Sequence, residues 1–81
     1  MRTRRKPRSR AHYLRGLYAA RMRAGLSGVE LSRRSGVSSP GISLYEWSER
    51  RARPETIIKL ARALRVEPGV LVRKPEEKEE E

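Results

Sequence analysis

The stretch GLSGVELSRRSGVSSPGISLYEWS, residues 25–48, decides how the chain folds. Gly25 is a natural left-handed stop for a preceding helix. Ser27-x-x-Glu30 follows at once. This is the capping-box pattern, in which a hydroxyl and a carboxylate satisfy the orphan amides of a helix start. The helix it opens carries Val29 and Leu31 and is expected to end at Gly36, after about two turns. Ser38 and Ser39 then offer side-chain oxygens for a new cap, and Pro40 is tolerated in a first turn. Ile42 and Tyr45 sit three apart on this third helix.

Outward from that stretch the helical pattern continues. On the N-terminal side, Leu14, Leu17, Tyr18 and Met22 recur at spacings of three and four, which places them on one helical face. On the C-terminal side a basic loop, Glu49-Arg50-Arg51-Ala52-Arg53, leads to Pro54. A fourth helix opens there, with Ile57, Leu60, Ala61 and Leu64 in helical period. Pro68 can start a short fifth helix carrying Val70 and Leu71. Nothing alternates with period two, so strands are not expected. The fold class is therefore all-α: a compact bundle of about five short helices spanning residues 13–72. Residues 1–12 read as a basic flexible arm and residues 73–81 as an acidic flexible tail. Both are too polar and too charged to bury a core of their own.

Composition narrows the chemistry. The absence of cysteine excludes a disulfide framework and a thiolate zinc site. The single His12 leaves no second imidazole for a histidine-based metal cluster. No metal and no cofactor are expected. No apolar run approaches the roughly 18–20 residues of a membrane span, and the basic N-terminus is not followed by the apolar segment of a secretory signal. The expected location is cytoplasmic.

Against 10 acidic residues stand 20 basic ones, a net charge of +10. The arm and the central domain each hold +6 and the tail −2. Charge of this size draws polyanions. Nucleic acid is the first candidate partner, an acidic protein the second and an anionic membrane surface the third.

Two short helices joined by a tight glycine turn predict a helix-turn-helix. Such a motif needs a small residue where its helices cross, a residue tolerant of left-handed backbone in the turn, and apolar clamps between the two helices. Ser32 is the small residue and Gly36 the turn glycine. Leu31, Val37, Ile42 and Tyr45 are the clamps.

On these residues the chain resembles the Cro/C1-type (XRE-like) helix-turn-helix family. The "GLS" entry, the "GVS" turn, Ile42-Ser43, Glu46, and Thr56 followed by Leu60-Ala61-Arg62-Ala63-Leu64 all fall in register without a gap. The resemblance implies a lambda-repressor-like DNA-binding domain that binds double-stranded DNA as a homodimer. It implies a transcriptional regulator, a repressor, associated with the nucleoid. The third helix would enter the major groove, with Ser38, Ser39, Pro40, Ser43 and Leu44 facing the bases. Gly28 and Arg21 fall at phosphate-facing positions. Arg21 and Glu46 fall where a helix-1 arginine meets a glutamate of the third helix, a pair that orients that helix.

The sequence departs from the family pattern in three places. The groove face offers serine, proline and leucine in place of the arginine, lysine, asparagine or glutamine that usually read bases. Weak direct readout follows, with much of the affinity from phosphates. Gly28 stands where glutamine is common and has only its backbone amide to offer. Trp47-Ser48 replaces a basic or amide residue followed by glycine. Ser48 fits a left-handed position less easily than glycine, so either the helix runs on or Trp47 fills the gap. Three roles stand open for Trp47, namely core, dimer contact and phosphate-proximal side chain, and core or interface is the commoner fate of a lone tryptophan.

Arg50, Arg51 and Arg53 are placed to grip phosphate. Arg2, Arg4, Arg5, Lys6, Arg8 and Arg10 of the arm would lie along the duplex. Arg15, Arg23, Arg33, Arg34, Arg62 and Arg65 read as solvated helix faces, with Arg33 and Arg34 also able to approach the DNA backbone. With about six phosphates neutralised, log affinity would fall against log salt with a slope near −5.

An enzyme is not expected. No nucleophile–base pair is suggested, and Gly25, Gly28 and Gly36 are spaced for helix ends rather than for a phosphate-binding loop. The rival reading is a protein-interaction module on the same fold, an antitoxin-like or adaptor subunit with DNA binding secondary. It rests on the apolar groove face, Trp47 and the acidic tail.

Overall fold

The computed structural model describes residues 11–74, and among them the chain forms five helices and no strand. They are α1 (Leu17–Ala24), α2 (Gly28–Ser35), α3 (Ser39–Glu46), α4 (Pro54–Leu64) and α5 (Pro68–Val72). The arm residues Arg2, Arg4, Arg5, Lys6, Arg8 and Arg10, and the tail 75–81, lie outside the described residues.

Local chemistry sets the boundaries. The Glu30 amide donates to Ser27 Oγ at 3.0 Å, and the Ser27 amide donates to Glu30 Oε1 at 2.9 Å, closing the capping box. At the other end of α2, Gly36 adopts φ 82° and its N–H donates to the Ser32 carbonyl at 2.8 Å. A side chain would be strained in that left-handed conformation. Ser38 caps α3 by accepting from the Gly41 amide at 3.1 Å. Pro54 and Pro68 open α4 and α5, where a missing N–H costs nothing.

The core draws on every helix. Leu14, Leu17, Leu31, Ile42, Leu60 and Leu71 are its largest fully enclosed side chains. Each such side chain contributes about 1.5–3 kcal/mol relative to exposure. Ala20, Tyr45, Ala52, Ile57, Ala61 and Leu64 complete the cluster, and no buried polar or charged residue occurs among the described residues. α2 packs against both α3 and α4, while α5 is clasped between α1 and α4.

The single face expected for Leu14, Leu17, Tyr18 and Met22 is divided by the structure. Leu14 and Leu17 are buried, whereas Tyr18 and Met22 are each 53% exposed. Leu14 lies in the turn before α1, with the Leu17 amide bonded to its carbonyl. α1 is apolar on more than one side, so spacing alone does not select the inward one. Selection falls to the small side: Gly16 and Ala20 allow α1 to approach the bundle closely, and Tyr18 and Met22 are turned out.

His12, the last residue of the expected arm, exchanges two backbone hydrogen bonds with Ala52, at 2.9 and 2.8 Å. This isolated antiparallel bridge ties the start of the folded unit to the loop between α3 and α4.

Candidate nucleic-acid interface

α2 and α3 are joined by Gly36, Val37 and Ser38, with Val37 half-buried against the core. Leu31 of α2 and Ile42 and Tyr45 of α3 are buried, as motif clamps must be. The inner side of α3 is therefore Gly41, Ile42 and Tyr45. Its other side is open: Pro40 and Ser43 are exposed, and Ser39 and Leu44 are half-buried. Ser38 is exposed, but its hydroxyl oxygen already accepts the Gly41 amide, which leaves mainly its O–H for an outside acceptor.

α3 is locked to α1 by one ion pair. Arg21 Nε donates to Glu46 Oε2 at 2.5 Å, and a second guanidinium nitrogen donates to Glu46 Oε1 at 3.1 Å. The remaining nitrogen, Nη1, donates to the Leu26 carbonyl at 3.0 Å. The guanidinium also lies 5.4 Å above the Tyr18 ring. Side-chain exposures of 14% for Arg21 and 10% for Glu46 place the pair largely out of water. Hydrogen bonding to Glu46 raises the Arg21 pKa from its ordinary value against the opposing effect of burial, so the guanidinium stays charged. A bidentate pair of this kind fixes direction as well as distance.

A family model described as helix-turn-helix matches residues 17–71, more than half of the chain, and covers all five helices but the last residue of α5. The chain belongs to the Cro/C1-type helix-turn-helix family. The family is one of DNA-binding regulatory domains. No curated protein and no solved structure matches the chain. Among the described residues no helix is long and apolar enough to cross a membrane.

Within this helix-turn-helix unit, the remaining site residues are placed as follows. Gly28 opens α2 with open space where a side chain would stand. The Glu30 carboxylate already sits on the neighbouring Ser27 amide, so a phosphate approaching Gly28 meets a like charge. Arg50, Arg51 and Arg53 are all exposed in the loop after α3. The Arg51 guanidinium stacks 5.0 Å above the Tyr13 ring, which fixes it beside the His12–Ala52 bridge.

Trp47 is neither core nor gap-filler: it is 74% exposed at the C-cap of α3. The helix stops there because Ser48 takes the left-handed conformation at φ 57°, and the Glu49 amide returns to the Leu44 carbonyl at 2.8 Å.

Sequence reasoning passed over Tyr18 and Tyr13 as partners for arginine, and the His12–Ala52 bridge. These contacts join residues far apart in the chain, and no local pattern marks them.

Proposed function

We propose that the protein is a sequence-selective transcriptional repressor that places α3 in the major groove of double-stranded DNA and holds the flanking phosphates with arginines. The observation carrying this reading is the division of α3 into a buried side and an open side, with the helix fixed to α1 by Arg21 and Glu46. A recognition helix needs that rigidity, because base edges are read at hydrogen-bond distance.

Ser39, Pro40, Ser43 and Leu44 on the open side, with the Ser38 O–H, are the base-facing set. Leu44 and Pro40 suit thymine methyl groups, and the serines bond either donors or acceptors. Arg50, Arg51 and Arg53 supply phosphate contacts, joined by the basic arm that precedes His12 in the sequence. Gly28 and Arg21 take smaller parts: one shares its helix end with a carboxylate, the other spends three nitrogens on protein partners. Binding as a homodimer multiplies a weak half-site. Occlusion of an operator requires nothing beyond binding, which is why repression is the reading. Its place is the cytoplasm, on the nucleoid.

One observation favours a second reading, a protein-interaction module. Pro40, Leu44 and Trp47 leave the outward side of α3 with no charged residue of its own. Selection of bound duplexes from a random pool at near-physiological salt separates the two. A regulator enriches a palindrome. Binding without enrichment, or none at all, favours the partner-directed role.

A further inference from the structure

Successive helical residues turn about 100° around the axis. Pro40, Ser43, Leu44 and Trp47, spaced by three, four and seven, therefore share one side of α3. Trp47 keeps the helical register, since its amide donates to the Ser43 carbonyl at 3.1 Å. Its position is fixed from behind as well, by the return of the Glu49 amide to Leu44 and by the adjacent Glu46–Arg21 pair. The molecule thus holds its largest side chain in water, at the end of the proposed groove-facing stripe.

The surroundings select the ligand. The cations that follow Trp47 in the chain, Arg50, Arg51 and Arg53, are exposed and outnumber the one exposed carboxylate among them, Glu49, while Glu46 beside Trp47 is paired with Arg21. Such a surface attracts a polyanion and does not attract an apolar protein face alone. An indole carries a flat apolar ring and one N–H that only donates. A DNA strand presents the matching pair: an apolar deoxyribose face and a phosphate with acceptors alone.

We propose that Trp47 is a DNA-backbone contact. Its ring packs on a deoxyribose and its Nε1–H donates to an adjacent phosphate oxygen, at the edge of the groove that α3 occupies. This rests on the reading of α3 as the recognition helix. It makes Trp47 the end stop that sets how far α3 enters the groove.

Trp47 is the sole tryptophan, so it reports on itself. The full chain is titrated with a labelled duplex of random sequence, following label anisotropy and tryptophan emission together. Emission is expected to change along the same isotherm as anisotropy. Trp47→Ala is expected to weaken binding about tenfold with its salt slope unchanged, and Trp47→Phe to restore part of the loss. Circular dichroism checks that both variants fold, as an exposed position allows. Duplex binding with silent emission and unchanged affinity of Trp47→Ala overturns the proposal while the DNA-binding function stands. A drop in sedimenting mass in Trp47→Ala, without DNA, assigns the side chain to a second copy and overturns it too. Failure of the unaltered protein to bind any duplex removes the functional reading and this proposal with it.

Discussion

Gly16 lies so close to α5 that a Cβ built on it would stand 2.2 Å from the Val70 carbonyl oxygen and 2.6 Å from that of Arg73. The Gly16 N–H donates to the Leu71 carbonyl at 2.8 Å, so the contact is backbone on backbone. Backbone atoms cannot turn aside as the end of a long side chain can. Gly16→Ala must part α1 from α5 and weaken that hydrogen bond. The expected loss is at least about 1–3 kcal/mol, and each kcal/mol lowers Tm by about 4–8 °C in a domain of this size. A thermal melt followed by circular dichroism checks it; an unchanged Tm means that the close approach is not maintained in solution.

The Arg21–Glu46 pair makes a different prediction. Glu46→Ala leaves a guanidinium largely out of water with only the Leu26 carbonyl and the Tyr18 ring. Breaking one side of such a pair costs about 1–3 kcal/mol. Because Glu46 lies on α3, duplex affinity is expected to fall beyond what unfolding explains. Melting and binding are measured at a temperature where the variant is fully folded. No change in either separates the pair from both the fold and the site.

The helix-turn-helix was legible because its signals are local. Capping at Ser27 and Glu30, the glycine at 36 and the clamps at Leu31, Ile42 and Tyr45 all act within a few residues of themselves. What was not legible depends on partners distant in the chain. Gly16 carries no mark that α5 will pass it, and the inward side of α1 is decided by that approach rather than by Leu14, Leu17, Tyr18 and Met22. Trp47 fits a core by composition, yet the left turn at Ser48 leaves it in solvent. At the site, Arg21 and Glu46 were placed through the family resemblance, not through charge pattern, because a lone arginine and a lone glutamate on separate helices have no spacing to reveal them.

Ser48 holds φ 57° without being glycine. The left-handed conformation costs a residue with a Cβ about 1 kcal/mol. Ser48 is exposed, and its side chain makes no hydrogen bond with a described residue that would repay that cost. Ser48→Gly is therefore expected to raise stability by several tenths of a kcal/mol, up to about 1 kcal/mol. Chemical denaturation measures it; a lower midpoint shows that added freedom in the unfolded chain outweighs the relieved strain.

Glu30 gives the fold an acid-sensitive edge. The Ser27 amide donates to its carboxylate, and this contact, with smaller help from the Ser27 side chain, Arg34 and Arg33, holds its pKa below the ordinary 4.5. A depressed carboxylate pKa contributes stability above the unfolded value and loses it as pH falls through the folded one. Glu30→Gln keeps an acceptor for the Ser27 amide but removes the charge. At neutral pH the unaltered protein should melt above the variant, and the gap should close on acidification below 4.5. A gap that stays constant with pH assigns the difference to packing.

Phosphate contact leaves a signature that bulk charge does not. Each neutralised phosphate steepens the fall of log affinity with log salt by about 0.9. Arg50 and Arg53 are exposed in the loop after α3, and the proposed function assigns them to phosphate. Lys59 and Arg62 are exposed on α4, which lacks substantial packing with α3. Removing either pair to alanine changes the net charge equally, and general attraction to DNA should drop alike. Only the loss of Arg50 and Arg53 should make the slope shallower, by about 2. The measurement is anisotropy with one duplex across a series of salt concentrations. Equal slopes for the two double variants would place the cations of this loop in the general field of the protein rather than on phosphates.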